Sequence, residues 1–97
     1  MPTEQAEFRG TSIKDRHTHY EVHAHIGPEP VSVEIPGYVA DDFKEKYEIE
    51  ITKAGDLRIA GEFVRNDQLV AECQDPFRSP SYRKAVVKDI NDISVVD

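Results

Sequence analysis

Hydrophobic and polar residues alternate strictly between residues 16 and 26. Tyr20, Val22, Ala24 and Ile26 occupy one set of alternate positions, and polar residues occupy the other. Because successive side chains of a strand point to opposite faces, this pattern predicts a strand with one buried and one polar side. The Gly-Pro-Glu-Pro stretch that follows ends it, since proline removes a backbone donor.

The same period of two recurs further along the chain and predicts more strands. A short strand is expected over 31–35, and one or two helical turns over 39–46, where apolar residues are four apart. Three further strands joined by short turns, over 47–52, 57–63 and 69–73, predict a meander.

The sequence is compatible with two alternative structures for the C-terminal part. Apolar residues at four-residue spacing after a Ser-Pro pair predict a helix over 80–90. Adjacent β-branched valines instead favour a hairpin that joins strands over 85–90 and 93–96. Gly61, inside a predicted strand, predicts a bulge or a close backbone contact.

These elements predict a single small α+β domain. We expect a mainly antiparallel sheet of five to six strands with one or two short helices. Residues 1–7 are predicted to form a flexible polar leader, and residues 8–97 the domain. A domain of this size buries a modest share of its surface, so assembly into a homo-oligomer is also open.

The net charge of the chain restricts the classes of partner that we expect. The 97 residues include 19 acidic and 12 basic side chains, for a net charge of −7. That sign disfavours nucleic acids and anionic membrane surfaces. The chain has one cysteine and shows neither a signal-peptide pattern nor a membrane-spanning run, so a cytoplasmic location is expected.

All four histidines of the chain fall on the polar side of the first predicted strand. Histidines two residues apart on a strand can converge on one transition metal such as zinc. The predicted metal-binding residues are His17, His19, Glu21, His23 and His25. A residue of a neighbouring strand, or the glutamate of the following turn, would complete the shell. The alternatives are a merely solvated face and a face that senses pH by protonation.

Part of this run resembles two metal-binding families. His23-Ala24-His25 followed by Glu29 resembles the first metal motif of cupins, but no histidine occurs after residue 25 to complete the cupin ligand set. The same histidine pair is similar to the His-hydrophobic-His element of replication-initiator nucleases, which would make Tyr82 the nucleophile. The net charge argues against a DNA enzyme, and neither family is adopted.

The densest acidic stretch of the chain is the second candidate site. Such a stretch is often only solvated, but it can also dock on a protein with a basic surface. The candidate interaction residues are Asp41, Asp42, Glu45, Glu48 and Glu50.

No complete catalytic constellation is visible, and we name no catalytic or cofactor-binding residue. The sequence therefore favours a small acidic, non-enzymatic module that binds another protein. The alternative function is a metal-binding domain, structural, regulatory or catalytic, built on the histidine strand.

Overall fold

The histidine-rich segment forms a strand inside an eight-stranded mixed sheet. The structure is a computed structural model, and it describes residues 3–10, 13–67 and 83–96. The strands are β1 (Glu4–Arg9), β2 (Ile13–Asp15), β3 (His19–Ile26), β4 (Glu29–Pro36), β5 (Asp56–Gly61), β6 (Val64–Arg65), β7 (Arg83–Val86) and β8 (Ile93–Val95). Their order is β6-β7-β4-β3-β1-β5-β8, and β2 also pairs with β3.

The hairpin of β3 and β4 positions most of the candidate metal ligands. Its loop is the pair Gly27-Pro28, because Ile26 already faces Glu29 across the two strands. Gly27 has a φ of 59°, as the first central residue of a type II′ turn requires, and that turn matches the twist of paired strands. The register of the hairpin is therefore fixed at its tip.

The expectation of an α+β fold is confirmed in outline, but the sheet is mixed. Six of its pairings are antiparallel. β7 instead runs parallel to β4, with Val33 opposite Ala85. The described part also has more strands than the predicted five or six. The excess includes β2, β6 and β8, which have only two or three residues each and fall below the length at which alternation is readable.

The described residues contain one α-helix, α1 (Gly37–Tyr47), which confirms the helical turns predicted over 39–46. It starts directly after β4 and buries Val39, Ala40 and Phe43 against the sheet. The rings of Phe43 and Tyr47 lie 4.6 Å apart between centroids. This apolar stripe at helical spacing holds α1 on the core side of the sheet and turns its polar side to solvent.

One continuous core lies between the sheet and α1. The sheet curls so that β5 approaches β7: a Cβ atom on Gly61 would lie 3.1 Å from Ala85 Cβ. The close contact predicted at Gly61 is therefore present. The fully buried larger side chains of this core are Val22, Val31, Val33, Ile35, Val39, Phe43, Leu57, Ile59, Val87 and Ile93.

The meander predicted from residue 47 is wrong over its first strand. α1 continues to Tyr47, and Ile51–Lys53 forms a 3₁₀ turn. Ile51 is buried whereas Ile49 is 39% exposed, so the apparent alternation does not mark one buried face. The middle strand of the meander corresponds to β5. The strand predicted over 69–73 lies outside the described residues.

The helix predicted over 80–90 is wrong where the structure describes it, because Arg83–Val86 is β7. Ala85 and Val87 are buried and Val86 is exposed, which is the period of a strand. The alternative hairpin is wrong as well: β7 pairs with β4 and β6, whereas β8 pairs with β5. Residues 80–82 lie outside the described part.

The predicted leader, residues 1–7, overlaps a strand. β1 lies between β3 and β5 in the sheet, and it buries Ala6 and Phe8. Residues 4–7 thus belong to the sheet and contribute to its core. Alternation of only two apolar side chains with glutamate and glutamine was too short a signal to indicate this strand.

Candidate functional site

The outward side of β3 carries His19, Glu21, His23 and His25, whereas Val22 and Ala24 between them are buried. Register extends this surface across the sheet, because directly opposed residues share a face. We call β3 His19, Glu21, His23 and His25, with their outward neighbours on β1, β2, β4 and β7, the histidine face. The neighbours are Glu7, Lys14, Ser32, Glu34 and Lys84.

Two carboxylates face each other at the centre of the histidine face. Glu21 of β3 and Glu34 of β4 are directly opposed in the hairpin, and like charges in that position repel. Each is neutralised by its own cation. Arg16 Nε donates to Glu21 Oε2 at 3.0 Å, and Lys84 Nζ donates to Glu34 Oε1 at 3.1 Å.

Each of these carboxylates also lies near one imidazole. His19 Nε2 is 3.8 Å from Glu34 Oε1, and His23 Nε2 is 3.9 Å from Glu21 Oε1. The partly buried position of Glu21 by itself would raise its pKa. The hydrogen bond from Arg16 and the nearby positive charges outweigh that effect and hold the pKa of Glu21 below its ordinary value.

The other two predicted histidine ligands lie apart from this centre. His17 lies in a turn before β3, with a φ of 71°, and its backbone N–H donates to Asp15 Oδ1 at 2.8 Å. The strand alternation expected from residue 16 therefore begins only at His19. His25 is exposed near the hairpin tip, opposite Glu7, which accepts a hydrogen bond from Arg9 at 2.8 Å.

The structure thus places two of the predicted histidines beside a glutamate, His23 beside the predicted Glu21 and His19 beside Glu34, and sets the other two apart. Among the described residues, no three His, Cys, Asp or Glu side chains lie close enough to hold a metal ion. Sequence reasoning missed Glu34, Lys84 and Arg16 as members of the site. The outward position of Glu34 on the predicted strand 31–35 was the available signal, but the register that opposes it to Glu21 was not.

Ser32 occupies the histidine face between His23 and Lys84. Only 1% of this residue is exposed, and its Oγ has no hydrogen-bond partner among the residues that the structure describes. An unpaired buried hydroxyl is costly, since it has lost its water without replacement. The burial of this hydroxyl is therefore expected to lower the free energy of unfolding.

Glu29, which the sequence offered as a further metal ligand, belongs to a different cluster. It pairs with Arg83, and Arg83 Nη1 also donates to Glu4 Oε1 at 2.7 Å. These hydrogen bonds lower the pKa of Glu4 and raise that of Arg83. The cluster joins β1, β4 and β7 on the side of the sheet opposite the histidine face.

The second candidate site is the solvent side of α1. Asp41 and Asp42 lie four and three residues before Glu45, so each neighbours Glu45 on the solvent side of the helix. With Glu48 at the helix end they form the acidic helix surface. All four are exposed, and none makes an ion pair with any residue, as far as the described ranges extend.

Glu50, the fifth predicted interaction residue, is set apart from that surface. It lies within 3.8 Å of Lys44 Nζ and 3.7 Å of Lys53 Nζ. It also lines a polar cavity of about 340 Å³ between α1 and the start of β3, together with Asp15, Tyr20 and Asp41. The cavity thus opens beside the acidic helix surface and is itself lined by three carboxylates.

Tyr38 adds an aromatic side chain to the same side of α1. It lies three and four residues before the two aspartates, and 57% of it is exposed. Its hydroxyl donates to the carbonyl of Lys88 at 3.0 Å, which fixes the ring beside the carboxylates.

Comparison with known proteins yields no match: no family model, curated protein or solved structure is significantly similar to this chain. None of the helices in the described part is long and apolar enough to cross a membrane.

Proposed function

We propose that this protein is a small, non-enzymatic module that binds a protein partner with a basic surface through the acidic helix surface. The observation that carries the proposal is the absence of ion pairs, within the described ranges, at Asp41, Asp42, Glu45 and Glu48. On the histidine face, by contrast, Glu7, Glu21 and Glu34 each contact a cation.

Unpaired like charges at this spacing work against the helix that carries them. Pairs of like charge three or four residues apart destabilise a helix by about 0.2–0.5 kcal/mol each. A partner with lysines and arginines at matching positions would remove that repulsion. Long-range attraction between the two surfaces would also increase the rate of encounter.

Two features beside the carboxylates offer a partner more than surface charge: an aromatic ring and a cavity. The ring of Tyr38 offers a fixed aromatic contact, a common centre of binding energy at interfaces. The cavity is lined by three carboxylates, Asp15, Asp41 and Glu50, against one cation, Lys44, so its lining keeps a negative charge that suits one basic side chain of the partner.

The test compares two variants of equal charge. Asp41→Asn/Glu45→Gln removes two of the four negative charges of the acidic helix surface, and Glu62→Gln/Asp67→Asn removes the same charge elsewhere. Proteins captured from the native host by wild type and control, but not by the helix variant, are purified and titrated calorimetrically. We expect an affinity that falls steeply with added salt. A partner that binds the helix variant as tightly as wild type contradicts the proposal.

A second candidate function, metal binding on the histidine face, is favoured by the two His-Glu distances of 3.8 and 3.9 Å. Bonds of about 2.0–2.2 Å in a tetrahedral zinc site place neighbouring ligand atoms roughly 3.4 Å apart. Each pair would need to close by a fraction of an ångström, and at the His19–Glu34 pair zinc would compete with Lys84 for Glu34 Oε1.

Calorimetric titration of tag-free protein with zinc, manganese and iron(II) tests this candidate. Micromolar binding that is lost in His19→Ala/His23→Ala but kept in His17→Ala/His25→Ala would support it. Equal weak binding by all three proteins would indicate only adventitious contact.

A further inference from the structure

β7 is paired unequally on its two sides. On one side it runs beside β4, where Val86 is opposite Glu34 and the N–H of Val87 donates to the backbone carbonyl of Glu34 at 2.9 Å. On the other side β6 has only two residues, which pair with Arg83 and Lys84. Among the described residues, no strand therefore pairs with Val86 on this second side.

The backbone of Val86 points towards that open side. Successive residues of a paired strand direct their N–H and C=O groups to opposite sides. Because the N–H of Val87 bonds to β4, the N–H and C=O of Val86 point away from β4. The register of β6 would place Glu62 opposite them, but β6 begins only at Val64. A donor and an acceptor at a strand edge are the groups with which a further strand pairs.

A cavity of about 450 Å³ lies along this part of β7. It is lined by the buried Ala85, by Gly61, which has no side chain, and by two exposed valines. These valines, Val64 and Val86, are 43% and 45% exposed. Sites that bind ligands commonly enclose about 300–1,000 Å³, so this volume accommodates a short segment of another chain.

Charged side chains of both signs line the same cavity. Lys88 on one hand, and Asp92 and Glu62 on the other, make no ion pair with each other or with any other residue in the part of the chain that the structure describes. Lys84, which also lines the cavity, donates to Glu34 instead. A ligand that satisfies this lining therefore carries an acidic group for Lys88 and a basic group for the carboxylates.

These features fit an extended peptide. Its backbone carries the donor and the acceptor that Val86 lacks on its open side, and its side chains alternate between two faces. Recognition by strand addition combines such backbone hydrogen bonds with pockets for alternate side chains. A second copy of the chain fits less well, because each copy has a net charge of −7 and the two would repel.

We propose that the open edge of β7 and the cavity beside it, together the β7 groove, bind an extended peptide segment of another protein. The segment pairs through its backbone with Val86 and extends the sheet. An apolar side chain packs on Val64 and Val86, an acidic side chain meets Lys88, and a basic side chain meets Asp92. The β7 groove is a separate site from the acidic helix surface, so Asp41→Asn/Glu45→Gln should leave peptide binding unchanged.

A phage-displayed library of seven-residue peptides, selected on the full chain, tests the proposal. We expect selected peptides in which apolar residues alternate with charged residues of both signs. The best sequence is synthesised with blocked ends and titrated calorimetrically. Methylation of single backbone nitrogens should weaken binding about tenfold at alternate positions and little at the positions between, because only every second N–H of an added strand faces β7.

Two substitutions at one position isolate the backbone contact. Val86→Pro removes the N–H that faces the groove and no hydrogen bond to β4, and an edge strand tolerates proline where its N–H faces solvent. It should weaken peptide binding about tenfold. Val86→Thr keeps the N–H and the branched side chain, and its affinity should match that of wild type within about twofold.

Lys88→Glu tests the charge while leaving the backbone unchanged. It should weaken binding of the selected peptide about fivefold, and a peptide with lysine in place of its acidic residue should restore the affinity.

Three results would overturn the proposal. The first is a selection that yields no peptide, or peptides that bind Val86→Pro and Lys88→Glu as tightly as wild type. The second is equal tolerance of backbone methylation at every position, which would mean that side chains alone make the contact. The third is a wild-type dimer, seen by sedimentation velocity and abolished by Val86→Pro, which would assign the edge to a second copy.

Discussion

Two regions of this protein differ in whether their carboxylates form ion pairs. On the histidine face, each of the three carboxylates lies beside a cation: Glu7 beside Arg9, Glu21 beside Arg16, and Glu34 beside Lys84, which β7 brings from far along the chain. On α1, Asp41 and Glu45 are four residues apart on the solvent side of the helix, and within the described ranges neither makes an ion pair, although Lys44 and Lys46 belong to the same helix. A sheet brings together residues that are distant in sequence, so opposite charges can meet. A lone surface helix offers only its own neighbours, and its charge is left for another molecule.

The largest expected effect on stability comes from removing the side chain that attaches α1 to the sheet. Phe43→Ala removes a fully buried ring that fixes α1 to the sheet, and we expect a loss of about 3–5 kcal/mol in the free energy of unfolding. Urea unfolding followed by circular dichroism measures it. Tyr38→Phe, at an exposed position on the same helix, should change stability by about 1 kcal/mol or less. Similar effects of both variants would show that α1 is not anchored through Phe43.

The next effect tests whether paired carboxylates contribute to stability. Arg83→Met leaves Glu4 and Glu29 without their shared cation, so the variant should be less stable than wild type near neutrality. A carboxyl group with a lowered pKa stabilises the fold above its unfolded-state pKa, and that contribution is lost as pH falls through the lowered value. The difference between the proteins should therefore shrink below about pH 4.5, the ordinary value for Glu4.

The stabilities of wild type and Arg83→Met are compared through their urea unfolding midpoints, measured from neutral to strongly acidic pH. Arg65→Met is the control, because its partner Asp67 is 92% exposed and the pair should contribute little. A difference between wild type and Arg83→Met that persists unchanged in acid would mean that the arginine acts through packing.

A smaller effect is expected at the buried hydroxyl of the histidine face. Ser32→Ala removes this hydroxyl, which has no hydrogen-bond partner within the described ranges, and stability should rise by about 1 kcal/mol. Ser94→Ala, at an exposed position on β8, should change little. Destabilisation by Ser32→Ala would imply that the hydroxyl is satisfied by water or by a bound ligand.

The smallest effect concerns the unpaired carboxylates themselves. Asp41→Asn/Glu45→Gln removes a like-charge pair four residues apart and should raise the free energy of unfolding by about 0.2–0.5 kcal/mol. The gain should disappear at high salt, where the repulsion is screened in wild type as well. Precise thermal unfolding at two salt concentrations measures it. A loss of stability would show that these carboxylates have stabilising partners.

The sequence was sufficient for features with local causes. The alternation around Val22 and Ala24 predicted β3 and its polar side, and the four-residue spacing of Val39 and Phe43 predicted α1. The sequence was insufficient where pairing between strands that are distant in the chain determines the secondary structure. β7 is a strand because it pairs in parallel with β4 and with β6, although its spacing also fits a helix. The same limit applied to the site, since the neighbours of Glu34 depend on two strand registers.

The parallel pairing of β4 with β7 also has a consequence for the order of folding. The β3–β4 hairpin closes over two residues and can form early. The pairing of β4 with β7, which places Ser32 opposite Lys84, needs a strand that lies much later in the chain. Closing such a long loop is entropically costly and slows folding. We therefore expect Val33→Ala in the hairpin to slow refolding, and Ala85→Gly in β7 to accelerate unfolding while leaving the refolding rate nearly unchanged. The last strand to join the sheet would then also be the first to leave it.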